Sequence, residues 1–311
     1  MIIFHTLVFL ISFIFIWIGA GLIVRSTDNF SRRFKISSFA MSFFILGILT
    51  SVPEFSVGLN SIVRNEPEIF VGNLIGGVIV IFLLIIPLLA IIGNGIKLSH
   101  QLDSKKLLLS LIVIASPTFL ISDGRITLYE AVLLILLYFI LFIFFEKKKE
   151  IIETIESNFL NEKKSDWKDI FKILIGVVIV FFASRFIVIE TEYLASFFKI
   201  SPFLISLVFL SLGTNLPELS VGLKSLALGK KDVAFGDYIG SASANTLLFG
   251  VLTLINKGDI IVPNHFFERF VFLIIGLTLF YLFSRSKNDI SRTEGGILLF
   301  VYLLFFLVEI I

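Results

Sequence analysis

The chain has 311 residues, of which 57% are hydrophobic and only 16% are charged; its formal net charge is +2 and it contains no cysteine. Average soluble domains carry about 25% charged residues, so this chain has too few polar side chains to cover a soluble globular core. The composition excludes an ordinary soluble enzyme, a nucleic-acid-binding protein and a disulfide-rich secreted domain. What remains is a polytopic helical membrane protein.

Ten segments are apolar and long enough to cross a bilayer as helices, which takes about 20 residues. In chain order they are residues 3–24, 36–63, 69–93, 106–122, 125–145, 169–190, 200–228, 233–256, 266–284 and 291–310. The first segment is too long for a cleavable signal peptide and no basic region precedes it. The charged stretch 146–168 separates two halves, residues 1–145 and 169–311. We therefore predict an all-α membrane protein with ten transmembrane helices.

The basic residues predict the orientation of the chain in the membrane. Of the 26 Lys and Arg residues, all but six lie in the odd-numbered loops. The six exceptions are Arg64, Arg125, Arg185, Lys199, Lys257 and Arg269. Cytoplasmic loops are enriched in Lys and Arg. We therefore expect the odd loops, including the central segment 146–168, in the cytoplasm, and both termini outside the cell membrane.

The two halves contain an internal repeat. Thr50–Ser61 aligns without a gap to Thr214–Ser225, 164 residues later, and the similarity extends to Gly76 and Gly240. The repeat shares Thr, Pro, Glu, Ser and Gly, which the apolar bias of membrane segments does not produce. Five spans in each half place the second copy upside down relative to the first. Inverted repeats with interrupted helices are typical of secondary transporters, whose binding site lies at the repeat interface near the membrane midplane.

One glutamate lies deep within each copy, Glu54 in the second span and Glu218 in the seventh. A carboxylate inside the membrane is costly and marks a functional site by default. No Lys or Arg occurs in spans 36–63, 69–93 or 233–256, which disfavours a structural ion pair. A protonated, hydrogen-bonded glutamate is the structural alternative. A mobile cation can supply the missing positive charge.

A proline precedes each glutamate, Pro53 in the first copy and Pro217 in the second. Proline in a helix has no N–H, so the carbonyl four residues earlier loses its helical partner. For either proline alone, a simple kink is the alternative. Each copy also has a threonine four residues before the glutamate, on the same helix face. Carbonyl, hydroxyl and carboxylate oxygens suit Ca²⁺ and also Na⁺. The candidate metal ligands are Glu54, Glu218, Thr50 and Thr214.

Further small and polar residues follow in the next spans. Gly76 and Gly240 are expected to let helices pack closely, as small residues do in membranes. Ser241 and Asn245 share one face of the eighth span and can add hydroxyl and amide oxygens to the site. Hydrogen bonds between helices are the alternative role for these two residues.

At these residues the chain resembles the cation/calcium exchanger superfamily, in its sodium/calcium exchanger branch. That family carries two inverted motifs reading roughly G-T-S-x-P-E, followed in the next helix by G-N-x-x-G-S-N-x-x-N/D. The matching segments are Thr50–Glu54 with Gly72–Gly76, and Gly213–Glu218 with Gly236–Ser241. The motifs thus lie within residues 47–82 and 211–246, and the resemblance covers the whole chain.

The resemblance implies antiport of Ca²⁺ against Na⁺ by alternating access, through four ion sites and without a cofactor. Glu54 and Glu218 would be the shared Ca²⁺ ligands, assisted by the carbonyls of Thr50 and Thr214, and the first and sixth spans would slide across the rest. The positions implied as ion-binding support are Ser51, Asn215, Ser211, Ser241 and Asn245. We expect a monomeric transport unit whose partners are the lipid bilayer and small inorganic cations, and no nucleic acid.

The chain departs from the family pattern at several motif positions. The first copy has Leu49 for glycine, Gly77 for serine and Ile81 for asparagine; the second has Asn215 for serine and Asn245 where aspartate is common. The first copy has therefore lost two polar side chains. Two central carboxylates would neutralise one Ca²⁺ in full, whereas three Na⁺ would leave an excess of positive charge. Exchange of Ca²⁺ or another divalent cation against H⁺, independent of sodium, is therefore the alternative to exchange against Na⁺.

An intramembrane enzyme is a third hypothesis. The chain contains no His-Glu-x-x-His motif, no Gly-x-Ser-x-Gly motif and no matched aspartate pair. Asp237 follows Gly236 and resembles part of the Gly-x-Gly-Asp element of intramembrane aspartyl proteases, but Ala234 replaces the other glycine. We therefore set Asp237 aside and expect the protein not to be an enzyme.

Overall fold

A computed structural model of the chain describes residues 2–33, 43, 47–97, 104–146, 167–227, 231–262, 266–286 and 289–310. Residues 147–166, which make up most of the predicted central loop 146–168, lie outside the described residues. So do residues 36–46 of the second predicted span, except residue 43.

Seven helices lie in the described part of the first half. They are α1 (Ile2–Arg33), α2 (Gly47–Thr50), α3 (Val52–Val63), α4 (Glu68–Val80), α5 (Ile86–Ile92), α6 (Ser104–Leu120) and α7 (Leu128–Glu146). A π-helical turn at Ile81–Ile85 joins α4 to α5, and a 3₁₀ turn at Ile121–Asp123 follows α6.

Seven further helices lie in the described part of the second half. They are α8 (Trp167–Phe198), α9 (Pro202–Ile205), α10 (Ser211–Thr214), α11 (Leu216–Ala227), α12 (Lys231–Asn256), α13 (Phe266–Ser286) and α14 (Arg292–Ile310). A π-helical turn at Ser206–Leu210 joins α9 to α10.

Each of the ten predicted spans corresponds to helical structure, and the all-α membrane fold is confirmed. Seven helical segments of the described chain are long and apolar enough to cross a membrane; the count of ten spanning helices stays a prediction. Several predicted boundaries are wrong. The first and sixth predicted spans end too early, because α1 continues to Arg33 and α8 to Phe198. The fifth begins too early, because Arg125–Ile126 forms a strand and α7 starts at Leu128.

Two short antiparallel ribbons reveal the symmetry of the fold. Strand β1 (Ile96–Lys97) pairs with β4 (Asp289–Ile290), and β2 (Arg125–Ile126) pairs with β3 (Ile260–Ile261). The 164-residue offset of the sequence repeat carries β1 onto β3 and β2 onto β4. The pseudo-symmetry therefore exchanges the two ribbons. One ribbon joins two odd-numbered loops and the other joins two even-numbered loops, as an inverted repeat requires.

Matched capping boxes begin α7 and α14. The backbone N–H and hydroxyl of Thr127 both donate to Glu130 Oε2 at 2.8 Å. Ser291 and Glu294, which lie 164 residues later, form the same two bonds at 2.8 and 2.7 Å. Such boxes satisfy N–H groups that have no partner inside the helix. The capping box places the start of α7 after Thr127 and not at residue 125.

The interrupted helices of each half pack against the long buried helix of the other half. In α4, every residue from Ile69 to Val80 is buried. Helix α4 packs against α9 and α10, while α12 packs against α2 and α3. These crossings bring the two matching segments of the repeat to the centre of the molecule. By contrast, α1 and α8 pack along each other and expose apolar side chains such as Phe15 and Phe182.

Two glycines make these crossings close. A Cβ on Gly76 would overlap the carbonyl oxygen of Leu207, and a Cβ on Gly240 would overlap that of Phe43. The two contacts are equivalent in the repeat, because Phe43 and Leu207 are 164 residues apart, as are Gly76 and Gly240. Any larger residue would have to push the helices apart, because the contacting atoms belong to backbone and cannot turn aside.

Candidate ion-binding site

The helix breaks at the same place in both copies of the repeat. Ser51 separates α2 from α3 with φ −80° and ψ 6°, and Asn215 separates α10 from α11 with φ −90° and ψ 10°. The prolines at 53 and 217 stand two residues later. Neither can donate a backbone hydrogen bond to the carbonyl four residues earlier. Each proline thus removes one helical hydrogen bond to the carbonyl four residues earlier, beside a buried glutamate.

Glu54 and Glu218 lie near each other where the two copies of the repeat cross, since the Ser241 hydroxyl contacts both Glu218 and Ser51. Glu54 is 1% exposed and Glu218 is 0% exposed. The two groups are close enough to interact electrostatically. Neither forms an ion pair with a Lys, Arg or His of the described chain. Burying two like charges without a compensating cation is strongly unfavourable, so this pair suits a positively charged ligand.

Thr50 and Thr214 form equivalent hydrogen bonds across the repeat interface. The Thr50 hydroxyl contacts Asp237 Oδ1 at 3.3 Å, and the Thr214 hydroxyl contacts Asn73 Oδ1 at 3.0 Å. Both threonines are fully buried. A hydroxyl that donates its hydrogen outward keeps its lone pairs available, so each threonine oxygen can act as a cation ligand.

The two glutamates differ in their hydrogen bonding. Ser241 donates to Glu218 Oε1 at 2.8 Å, and its hydroxyl also lies 3.3 Å from that of Ser51. Glu54 accepts no hydrogen bond from the described residues at either oxygen. The repeat position that corresponds to Ser241 is Gly77, which has no hydroxyl to offer. The departure of the first copy from the family motif therefore leaves Glu54 with fewer protein partners.

Two amides pack around Gly77. A Cβ at Gly77 would lie 3.0 Å from Asn215 Nδ2 and 3.2 Å from Asn245 Nδ2. Asn215 Nδ2 donates to the Ser211 carbonyl at 2.8 Å, while the Ser211 hydroxyl donates to the Leu207 carbonyl at 2.6 Å. The amide oxygen of Asn215 is buried and accepts no hydrogen bond from the described residues. Asn245 also lines a small cavity between α4, α6 and α12.

Six buried oxygen atoms of the centre lack hydrogen-bond donors. They are Glu54 Oε1 and Oε2, Glu218 Oε2, Asp237 Oδ2, Asn215 Oδ1 and Asn245 Oδ1. Buried polar atoms are nearly always paired in native proteins. No cluster of three His, Asp or Glu side chains within the described ranges forms a ready-made metal site. A cation bound here would therefore draw on amide, hydroxyl and carbonyl oxygens as well as carboxylates.

Asp237 was missed by the sequence reasoning. It is 0% exposed, contacts Thr50, and interacts electrostatically with both Glu54 and Glu218. A third buried acidic side chain therefore lies near the two glutamates that the sequence analysis selected. The offset of the repeat offered a signal, because it places Asp237 opposite the polar Asn73 of the first motif.

Inverted repeats, helices broken at the midpoint and buried oxygen ligands without counter-charges define a secondary transporter for cations. The chain belongs to the sodium/calcium exchanger protein family, whose model matches residues 4–146 and again residues 169–311. The resemblance inferred from the motifs is confirmed. The protein is therefore a multi-pass membrane transporter of the antiporter type.

Individual relatives agree with this family. The chain is 27% identical over 310 residues to the putative antiporter CaxA of Alkalimonas amylolytica, covering 94% of this chain and 97% of that protein. It is 23% identical over 359 residues to the sodium/calcium exchanger MaX1 of Methanosarcina acetivorans, covering 97% of each. A solved structure of the sodium-calcium exchanger NCX_Mj, soaked with 100 mM Na⁺ and 10 mM Sr²⁺, matches with a TM-score of 0.71 and 25% identity over 98% of both chains.

Proposed function

We propose that this protein exchanges Ca²⁺ for Na⁺ across the cell membrane by alternating access. The observation that carries the proposal is the pair of buried carboxylates, Glu54 and Glu218, which the inverted repeats bring together without a basic partner in the described chain. Membership of the sodium/calcium exchanger family and the likeness to MaX1 and NCX_Mj support the choice of ions.

Ca²⁺ binds between the two glutamates. Ca²⁺ takes six to eight oxygen ligands at about 2.3–2.6 Å. Glu54 and Glu218 supply carboxylate oxygens, and Thr50 and Thr214 supply hydroxyl oxygens. The helix breaks add backbone carbonyls. One divalent cation offsets the charges of the two glutamates.

Sodium binds at neighbouring positions that share the same glutamates. Ser51, Ser241 and Asn215 lie around the carboxylates with hydroxyl and amide oxygens. Ser211 holds the Asn215 amide in place, and Asn245 contributes a further unpaired amide. Because Ca²⁺ and Na⁺ use common carboxylates, occupancy by one disfavours the other, which is the basis of exchange.

Helices α1 and α8 provide the moving part. They pack along each other, and Gly19 of α1 lies against the carbonyl of Gly176, where a Cβ would be 2.8 Å from that oxygen. The Phe13 ring of α1 covers Gly213 directly beside the second helix break. Sliding of this helix pair carries Phe13 off Gly213 and so changes access to the site from one side of the membrane.

Transport by reconstituted protein tests the proposal. Vesicles loaded with Na⁺ and diluted into sodium-free buffer should take up ⁴⁵Ca²⁺, and Glu54→Gln and Glu218→Gln should abolish uptake. Glu130→Gln, which alters a carboxylate in the capping box of α7, is the matched control and should retain uptake. Uptake by both glutamine variants at the wild-type rate would exclude this site.

The alternative coupling ion is H⁺. The first repeat lacks two polar side chains of the family pattern, at Gly77 and at the fully buried Ile81, and this observation favours a transporter with weakened sodium sites. Vesicles without Na⁺ but with a pH gradient distinguish coupling to H⁺ from coupling to Na⁺. Calcium flux that follows the pH gradient and ignores sodium would select H⁺ coupling.

Cysteine labelling in cells tests the orientation of the chain. We propose that a single chain is the transport unit and that the segment 146–168 faces the cytoplasm. Because the chain contains no cysteine, Ser157→Cys provides a unique label. In intact cells a membrane-impermeant maleimide should modify it only after permeabilisation, whereas labelling of intact cells would place the loop outside.

A further inference from the structure

Asp237 and Asn73 occupy the same place in the two repeats. They are 164 residues apart, on α12 and α4, and a side-chain oxygen of each lies within hydrogen-bonding distance of the hydroxyl of the opposite copy's threonine, which shares its hydrogen with a carbonyl of its own helix. At Asn73 an uncharged amide oxygen is sufficient as the hydrogen-bond acceptor for the threonine hydroxyl. The carboxyl group at residue 237 therefore adds an acidic group that the hydrogen bond itself does not require, and a bound cation favours its ionised form.

No structural partner accounts for that charge. Asp237 is 0% exposed, and its second oxygen, Oδ2, accepts no hydrogen bond. The neighbouring Tyr238 hydroxyl donates to the backbone carbonyl of Glu218 and not to the carboxylate. No Lys, Arg or His of the described chain forms an ion pair with Asp237.

The charge of Asp237 reaches the centre of the site. The carboxylate interacts electrostatically with Glu218 and with Glu54. It is joined to the proposed ligand Thr50 by the hydrogen bond at 3.3 Å. A cation held between the two glutamates is therefore within the field of a third carboxylate in a buried, weakly screened environment.

We propose that Asp237 is a third anionic group of the ion-binding centre. It orients the Thr50 hydroxyl so that the oxygen lone pairs face the cation, and its charge strengthens cation binding through space. Asp237 is a positioning residue in this scheme and not a direct ligand. The proposal rests on the proposed function, because it assumes that Ca²⁺ binds between Glu54 and Glu218 and that Na⁺ binds beside the same carboxylates.

The two roles of Asp237 have different signatures. A through-space charge attracts a divalent cation with twice the energy of a monovalent one at the same position. If both ions lie at similar distances from Asp237, removing its charge should therefore shift the logarithm of the Ca²⁺ dissociation constant about twice as far as that of Na⁺. Loss of packing or of hydroxyl orientation has no reason to produce this ratio.

Asp237→Asn isolates the charge, because asparagine keeps the acceptor oxygen for Thr50 and restores the symmetry with Asn73. The reverse substitution, Asn73→Asp, adds a charge at the equivalent place beside Thr214. Asp123→Asn removes an exposed carboxylate outside the centre and is the matched control. Calorimetric titration of the purified full chain with Ca²⁺ and with Na⁺ gives both dissociation constants for each variant.

We expect Asp237→Asn to raise the Kd for Ca²⁺ about tenfold and that for Na⁺ about threefold, in keeping with the scaling of Coulomb energy with charge. Asn73→Asp should lower both in the same proportion, and combining the two substitutions should return both toward the wild-type values. Asp123→Asn should change neither. If Asp237→Asn does not fold, Asn73→Asp carries the same test in the opposite direction.

If neither Asp237→Asn nor Asn73→Asp changed the dissociation constants for Ca²⁺ and Na⁺, the role of Asp237 would be overturned while the proposed function stayed intact. Equal shifts for Ca²⁺ and Na⁺ would also overturn it, since they would indicate a structural effect. A wild-type protein that binds neither ion would instead overturn the proposed function, and this inference with it.

Discussion

Gly77 lies directly against the side chain of Asn215, so that a Cβ at residue 77 would be only 3.0 Å from Nδ2. Both residues stand where the family motif has serine. The large amide in one repeat thus occupies the space beside the missing side chain in the other. The two departures from the motif compensate for each other in volume, and Asn215 retains a polar group at this position of the site.

The pair should therefore be energetically coupled. Gly77→Ser alone crowds Asn215 and Asn245 and should destabilise the protein by about 1–3 kcal/mol, the usual cost of overpacking. Asn215→Ser in the same chain should restore much of that loss by making room. Thermal unfolding of the two single variants and the double variant in detergent gives the coupling energy. Additive effects of the two substitutions would contradict this account.

Ser241 should tune the affinity of one glutamate. Its hydroxyl donates to Glu218 Oε1 at 2.8 Å, so Ser241→Ala removes a hydrogen bond to a proposed calcium ligand. We expect about a threefold to tenfold weaker affinity for Ca²⁺, corresponding to a hydrogen bond worth about 1 kcal/mol.

Ser243→Ala is the control for this substitution. Ser243 is equally buried on the same helix but donates to the Ile239 carbonyl of its own helix. Its loss should leave the calcium titration unchanged. If both alanine variants weakened Ca²⁺ binding alike, a general disturbance of the helix, and not the lost hydrogen bond to Glu218, would be the cause.

The close helix crossings should be intolerant of even a methyl group. Gly76→Ala and Gly240→Ala place Cβ atoms on the carbonyls of Leu207 and Phe43, and each should cost about 1–3 kcal/mol by overpacking. Gly296 in α14 has no atom within 4 Å of such a Cβ. Gly296→Ala should therefore be neutral or stabilise the helix by about 0.5–1 kcal/mol. Detergent melting curves of the three variants would reject the argument if their midpoints fell by equal amounts.

The repeat in the sequence was sufficient to predict the inverted symmetry and the pairing of Glu54 with Glu218 as candidates for one site. The glutamates and prolines of the repeat made this possible, because a carboxylate or a proline within a membrane span has few structural roles. The start of α7 was missed although Thr127 and Glu130 form a capping box that the sequence displays. An apolar run alone does not mark where a helix begins.

Other features depend on packing and leave little trace in the sequence. The π-helical turn at Ile81–Ile85 lies in an unbroken apolar run, and its counterpart in the eighth span is regular α-helix. Each two-residue strand becomes a strand only when it meets a partner from a distant loop. Asp237 was set aside because Ala234 replaces a glycine of the protease element that it resembles, and its contact with Thr50 of the other repeat cannot be read from its own helix.

Glu66, in the turn between α3 and α4, should give the folded protein a pH-dependent stability outside the membrane spans. Partial burial, and secondarily the negative charge of Glu192, raise the pKa of Glu66 above its ordinary value of 4.5. The folded chain therefore binds this proton more tightly than the unfolded chain. This favours folding at low pH, and the contribution is lost as the pH rises above 4.5.

Glu66→Gln removes this dependence because glutamine does not titrate. The melting temperature of the variant should increase relative to that of the wild type as the pH is raised from about 4 toward neutrality, with a small amplitude because surface charges are screened. Glu192→Gln should reduce the difference in part, since it removes the second cause and also leaves Arg64, its ion-pair partner, free to attract Glu66. A melting-temperature difference between Glu66→Gln and wild type that stayed constant across this range would show that Glu66 titrates alike in the folded and unfolded chains.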